Sequence, residues 1–505
     1  MKIAKYLPLL LLLTTQEAFS AKKSDDLFQE LKITSPTSLT HPVHIADVLP
    51  DAGKELVTFG VDKDNEYWLI IYKQVQDSVE IAAQLKLDKS ISRFDISEDD
   101  VKQQKIYFQT HDSLMTFEPA ATDSPAQIKT IAAINSIFLD PKPQFIAKDD
   151  FVYQLNDKGQ DFVVITQFDG LAIFDSNGNR MNQESINIKP QIKMGDDFAE
   201  FIKPKIYIAD ANFDGLLDII QAGEGELISY VQTPANTTQS QIAFARSSID
   251  VNEAISGIDW WDKRDASGDS LDQTNLIYRT LEDMTDVNGD GISDLVVKYT
   301  QSSGVLDRAN DFEVFFGRNQ NNQLAYSDKA DTVIKGEGTL TGLRLVDINN
   351  DNVKEIMLSG FDIGVSQIIS ALMSGNVDQD VYLYKLDANN KFGEDADVEK
   401  EVELSFSISS GQSGSPIIEL VDLNNDGLKD LLLSSSEKTL KVYYGQKRKR
   451  LFSKRSKRYR TSLPKNGFAV QTGDLNGDGK EDIVFKYGRL DDDDKKKEFR
   501  ILLSK

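Results

Sequence analysis

Short apolar or alternating runs recur along the chain, and each is bounded by Gly, Asn, Asp or Ser. LLLSSS follows Asp430 and leads into TLKVYYG at 439–445; LVVKYT follows Asp294 and leads into FEVFFG at 312–317. A further run precedes each such pair, as in KIYIA from Lys205 and LRLV from Leu343, and another follows, as in ELSFSI from Glu403. Runs of this length with period-two alternation and turn residues at their ends predict β-strands, four to a unit.

The connection between the first and second strands of a unit carries a repeated acidic pattern. DANFDGLLD at 210–218 returns as DVNGDGISD at 286–294, DLNNDGLKD at 422–430 and DLNGDGKED at 474–482, with a variant DINNDNVKE at 347–355. Looser echoes start at Asp47 (DVLPDAGKE, 47–55), Asp95 and Gln154. Eight starting points spaced 48 to 76 residues apart are too far apart for helical repeats and suit four-stranded blades of a β-propeller. The fold expected is all-β, with eight blades, or seven if the unit at Asp95 is not a blade of its own. The last unit supplies only three strands, and LFQELKI at 27–33 is the spare strand that would complete it and remove the open sheet edges.

The nine-residue spacing has a chemical reason. Side-chain oxygens at positions 1, 3 and 5 face inward around a tight turn, Gly at position 6 permits the reversal, position 7 offers a carbonyl, and an acid at position 9 closes the shell. Hard oxygen donors in this number suit Ca²⁺ better than Mg²⁺ or a transition metal. An EF-hand loop begins alike but closes with an acid at position 12 and continues as helix. Here position 12 is Gln221, Val297, Leu358, Leu433 or Phe485, and strand follows.

These motifs resemble the FG-GAP and VCBS repeats, the calcium-bearing blades of integrin α-subunit propellers and of many bacterial exported proteins. The resemblance implies side-chain ligands Asp210, Asn212, Asp214 and Asp218; Asp286, Asn288, Asp290 and Asp294; Asp347, Asn349, Asp351 and Glu355; Asp422, Asn424, Asp426 and Asp430; and Asp474, Asn476, Asp478 and Asp482. It implies backbone carbonyl ligands at Leu216, Ile292, Val353, Leu428 and Lys480, hence up to five structural Ca²⁺ ions. The third set, with Asn352 for Gly and Glu355 for Asp, is expected to be weaker, and the three upstream loops to hold no metal. Five sites gather fifteen carboxylates, so folding and calcium binding are expected to be coupled.

Composition narrows the function. Asp and Glu number 81 against 57 Lys and Arg, a net charge of −24 that argues against a nucleic-acid binder. Cysteine is absent, and the three histidines (His41, His44, His111) leave little material for zinc or histidine catalysis. Lys2 and Lys5, an apolar run to Leu13 and Ala18-Phe19-Ser20 read as a signal peptide cleaved after Ser20, so export to the periplasm, cell surface or medium is expected. No other stretch is long and apolar enough to span a membrane.

One propeller domain is expected over 21–505, a monomer with insertions near 240–280 and 362–378. Within them, Trp260 and Trp261 are expected to pack against the ring, with sugar stacking as the alternative, and 365–375 to form a short helix. The basic segment from Lys447 to Arg460 is either a solvated hairpin or a docking strip for an anionic envelope component. Two functions follow: a non-enzymatic binding or scaffold protein for a protein or glycan partner, or a polysaccharide lyase or glycosidase on the same frame. With no nucleophile motif and few histidines, the first is preferred.

Overall fold

In the computed structural model, the residues described are 27–505 apart from 76–77, 99–102, 157–158, 195–198, 234–240, 305–306, 337–338, 362–375, 408–411 and 448–449. The expected leader, the segment 365–375 and part of the basic segment therefore lie outside the described residues.

Antiparallel meanders follow one another in chain order. The first blade pairs His44–Ala46, Glu55–Val61, Tyr67–Val75 and Ser78–Lys86, and the second Arg93–Ile96, Ile106–Gln109, Ser113–Glu118 and Gln127–Ala133. The third pairs Val152–Gln154, Asp161–Gln167 and Gly170–Asp175, and an irregular segment bridged at Ile186 and Arg180 takes its fourth place. The fourth holds Tyr207–Ala209, Asp218–Ala222, Glu226–Thr233 and Ala243–Asp250, and the fifth Leu276–Thr285, Asp294–Gly304, Asp307–Phe315 and Thr332–Ile334. The sixth holds Thr339–Val346, Glu355–Phe361, Asn376–Tyr384 and Val398–Ser407, and the seventh Ile418–Val421, Asp430–Ser436, Thr439–Tyr443 and Lys457–Arg460. The eighth takes Val470–Gly473, Asp482–Lys486 and Glu498–Ser504 from the C-terminus and Phe28–Thr34 from the N-terminus. The molecule is an eight-bladed β-propeller closed by the expected strand.

Burial follows position in the blade. The second strands DFVVITQ (161–167) and DIVFK (482–486) are buried throughout, because both their faces meet neighbouring blades. The outermost strand SVEIAAQLK (78–86) buries only Ala83. Among the described residues the buried apolar side chains form eight clusters, one at each junction between successive blades. The cluster of Leu56, Ile70, Val484 and Phe499 joins the eighth blade to the first. First strands of neighbouring blades, such as His44–Ala46 and Val470–Gly473, approach one another around the axis.

Closure is built from side chains as well as backbone. Phe28 to Thr34 pairs in register with Ser504 to Glu498. The Phe28 ring meets Tyr459 of the seventh blade edge-on at 5.1 Å. Glu30 accepts from Tyr459 (3.1 Å), Thr461 (2.9 Å) and Arg500 (2.7 Å), tying the seventh and eighth blades to the chain start.

Topology also divides the faces. In an antiparallel meander the first-to-second and third-to-fourth connections open on one face, and the second-to-third and blade-to-blade connections on the other. All five acidic loops and the three looser echoes fall on or around first-to-second connections, hence on one face. Phe28→Ala is expected to cost about 3 kcal/mol, the usual range for deleting a buried Phe, as a shift in urea midpoint. Deleting 27–34 is expected to expose the edge at Glu498–Ser504 and cause self-association in gel filtration. An unchanged midpoint and a monomeric deletion variant would count against strand closure.

Candidate metal centres and the opposite face

Each acidic loop begins as its first strand ends and leads into the second at position 9, where strands start at Asp218, Asp294, Glu355, Asp430 and Asp482. No helix follows, as the position-12 residues anticipate. In the fourth blade Asp210 Oδ1 accepts from the Asp214 N–H at 3.2 Å and Oδ2 from the Gly215 N–H at 2.9 Å. Asn212 Oδ1 also meets the Asp214 N–H, at 3.1 Å, so oxygens of positions 1 and 3 converge on one point. Asp214 accepts from the Leu216 N–H (2.8 Å) and from the Asn212 amide (2.9 Å). The same network holds Asp286, Asn288 and Asp290, Asp422, Asn424 and Asp426, and Asp474, Asn476 and Asp478.

Two positions in every loop take the left-handed conformation. Position 6 does so at Gly215, Gly291, Asn352, Gly427 and Gly479, and position 4 at Phe213, Gly289, Asn350, Asn425 and Gly477. The sequence reading required only position 6. Gly or Asn at position 4 in four of five loops was the available signal; Phe213, at φ 59°, is the exception and a bulky residue in a costly conformation.

The ninth acid does more than the spacing suggested. Asp218 is fully buried; one oxygen accepts from the Ala211 N–H (2.8 Å) and the other from the Gln232 N–H of the third strand (2.7 Å). Asp294 joins Val287 (2.9 Å) to Gly317 (2.8 Å), Asp430 joins Leu423 (3.2 Å) to Gly445 (2.7 Å), and Asp482 joins Leu475 (3.1 Å) to Ser504 (2.9 Å). The carboxylate braces loop, second strand and third strand together. Burial pushes the carboxyls of Asp218, Asp294 and Asp482 up to about 6 and those of Glu355 and Asp430 up to about 7. Acids in the same loop add to the rise, against the pull of the backbone N–H bonds. Glu55, in the looser first-blade loop, braces Val48 and Leu49 (2.9 and 3.0 Å) and is pushed to about 7 for the same first reason. Bracing therefore exists without a complete cage.

The donors are all oxygens of the hard type that Ca²⁺ prefers, and a carboxylate oxygen that accepts one N–H keeps a second lone pair. Among the described residues no three carboxylate, imidazole or thiolate groups are drawn into one cluster, because the ninth carboxylate turns to backbone N–H groups. The 347–355 loop differs: the longer Glu355 captures the Asn349 amide at 2.9 Å, which in the other four loops bonds the fifth-position Asp.

Successive loops are also joined. Lys354 donates its N–H to Val287 O (2.9 Å), Lys429 to Ile348 O (2.8 Å), Glu481 to Asp422 O (2.8 Å) and Gln104 to Asp47 O (2.7 Å). Gly289 packs on the next loop so closely that a Cβ would lie 2.7 Å from Asn352 O.

The opposite face is different in kind. Of eight exposed large apolar side chains among the described residues, six belong to blade-to-blade connections or adjoining strand starts: Leu139, Phe145, Ile192, Trp261, Ile277 and Phe468. The two tryptophans divide their roles. Trp260 is buried and Trp261 is 52% exposed, stacked on it at 3.9 Å with the Arg308 guanidinium 5.3 Å from the outer ring. Lys193 and Asp262 (2.6 Å) link two neighbouring connections. Nearer the axis a cleft of about 850 Å³ opens between the sixth, seventh and eighth blades. Its one carboxylate, Glu419, pairs with Arg344 at 3.0 Å.

Of the basic segment, Lys457, Arg458 and Arg460 stand exposed on the outer strand of the seventh blade. With Lys447, Arg450, Lys454 and Arg455 they form no ion pair among the described residues. His41 and His44 pack edge-on against Phe94, and burial pushes them down to about 4 and about 3.

Residues 422–485 match the family model described as an FG-GAP-like repeat, from the seventh-blade acidic loop into the second strand of the eighth blade. No curated protein resembles the chain significantly. Similar solved structures include Sqt1 of Saccharomyces cerevisiae (10% identity, 96% of this chain and 100% of that one, TM-score 0.41). They also include a putative 6-phosphogluconolactonase of Bacteroides fragilis (11%, 88% and 98%, 0.35) and a periplasmic gluconolactonase of Pseudomonas aeruginosa (11%, 72% and 85%, 0.32). Likeness at these scores carries nothing about activity. The chain is an eight-bladed β-propeller in which the junction of the last two blades matches an FG-GAP-like repeat.

Proposed function

We propose that the protein is an exported, calcium-braced propeller that binds a protein or glycan partner at the cell envelope or surface, without turning it over. The observation that carries this reading is that six exposed large apolar side chains sit on or beside the blade-to-blade connections, which open on the face opposite the acidic loops. Exposed large apolar side chains on such connections are candidates for recognition, and Trp and Arg, paired here at Trp261 and Arg308, are favoured anchors. The five loops at 210–218, 286–294, 347–355, 422–430 and 474–482 offer oxygen cages whose role is structural. The exposed cations between Lys447 and Arg460 provide a second contact, for an anionic envelope component. Export rests on the leader read at residues 1–20.

Binding is preferred to catalysis because the axial cleft presents one carboxylate, already neutralised by Arg344, where a glycosidase uses two. A panel of neutral and acidic polysaccharides and envelope extracts tests this. Retention without release of reducing or unsaturated ends is expected, and it should be lost in a Trp261→Ala, Phe145→Ala variant of unchanged melting temperature. Sustained product release by the purified protein would overturn the reading.

Calcium should raise the melting temperature and a chelator lower it, each site adding about 2.7 kcal/mol at a hundredfold excess over its Kd. Asp426→Ala should remove only a calcium-dependent part of stability. Asp430→Asn turns an amide N–H toward a backbone N–H, so it should cost about 1–3 kcal/mol in calcium and in chelator alike. Equal effects of the two substitutions in chelator would refute the separation of cage from brace.

A further inference from the structure

We infer that the cleft between the sixth, seventh and eighth blades is a subsite for an uncharged oligosaccharide, stacked on Phe468 and hydrogen-bonded by Gln379. This deepens the binding role proposed above and rests on it.

Phe468 is 78% exposed, the most exposed of the large apolar side chains among the described residues. It is displayed rigidly. The turn Gly467–Ala469 is capped by the Asn466 side chain on the Phe468 N–H at 3.2 Å, and Gly467 donates its N–H to Ser415 O at 2.7 Å. A Cβ on Gly467 would fall 2.1 Å from Pro416 O, so the backbone there is pressed against the neighbouring blade. A ring held out by an anchored turn is a stacking platform, since the apolar face of a pyranose and an aromatic ring remove water from each other.

Gln379 supplies the second, independent observation. It lines the cleft and is 7% exposed. A primary amide in a cleft wall offers two donors and an acceptor. Adjacent sugar hydroxyls, each both donor and acceptor, match those groups.

The remaining walls fit the same ligand. Arg344 and Glu419 present planar, bidentate groups that cancel one another's charge at 3.0 Å, and Gln471 and Thr341 add uncharged polar groups. An anionic ligand would meet a paired guanidinium in a protein of net charge −24. The volume, about 850 Å³, lies within the usual range of small-molecule sites.

The test is calorimetric titration of the full chain with neutral gluco-, manno- and xylo-oligosaccharides, with oligogalacturonate and an unstructured peptide mixture alongside. A neutral oligosaccharide is expected to bind at micromolar to millimolar concentration, and Phe468→Ala to weaken it at least tenfold while Phe468→Trp retains it. Gln379→Met should also weaken binding at least tenfold without lowering the melting temperature. A merely structural glutamine would lower it.

Three results would overturn the inference: no neutral oligosaccharide bound at millimolar concentration, binding indifferent to both substitutions, or peptide or oligogalacturonate taking the cleft instead. Retention of another partner through Trp261 and Phe145, with no sugar in the cleft, would refute the subsite and leave the wider reading standing. Loss of both would refute the two together.

Discussion

A four-stranded blade of this chain cannot bury its own two faces. Its second strand is apolar on both sides, so each blade needs a neighbour before it and another after it, and only a closed ring gives every blade both. The eight interblade clusters are that requirement made visible. The strand Phe28–Thr34 is where it is met, because the eighth blade would otherwise end in an open edge at Glu498–Ser504. Glu30 secures the junction by accepting from residues of the seventh and eighth blades, which lie more than 400 positions away in sequence.

The acidic loops serve the same ring in a second way. A ninth-position carboxylate buried at the root of the loop bonds the loop's own backbone and, in four of the five blades, the third strand or the residue just beyond it, so hydrogen bonds hold the blade's inner corner. Burial makes that carboxyl reluctant to ionise, and positions 1 and 5 place further negative charge close by. A cation at the loop, as proposed above, would relieve this repulsion. Loop and brace are thus coupled by charge yet separable by hydrogen bonding, and Glu55 in the first blade carries the brace on a looser loop. The backbone bonds from Lys354, Lys429 and Glu481 to the preceding loops carry the corner of one blade into the next.

Much of this was legible because it is local. A carboxylate at fixed offsets from Gly or Asn is demanded by the turn itself, so the spacing of Asp210, Asn212, Asp214 and Asp218 announced where first strands end and second strands begin. The spare strand at 27–33 was legible because the last unit lacked a fourth. What depends on distant neighbours was not. Lys457–Arg460 reads as a charged segment, yet it is an outer strand, where cations discourage edge-to-edge pairing. Trp260 and Trp261 are adjacent in sequence but on opposite sides of one stack. The bracing role of the ninth acid required knowing that Gln232, Gly317, Gly445 and Ser504 return beside it. Phe468 gave no sign at all, since nothing local says that Ser415 and Pro416 will hold its turn against the cleft.

The two faces differ because their loops answer to different constraints. A first-to-second connection must complete a nine-residue turn around its acids, which leaves little room for variation in length or side chain. A blade-to-blade connection has only to descend from one sheet and enter the next. The connections at 134–151, 176–206 and 251–275 are correspondingly long, and they carry Leu139, Phe145, Ile192 and Trp261. Loops released from a structural duty can hold apolar side chains in solvent, because their exposure costs the ring nothing that the interblade clusters have not already secured. The regular, hydrogen-bonded turns therefore lie on the acidic face and the longer connections with exposed apolar side chains on the other, and the cleft between the sixth, seventh and eighth blades is lined by first strands together with the linkers around Ser415 and Phe468.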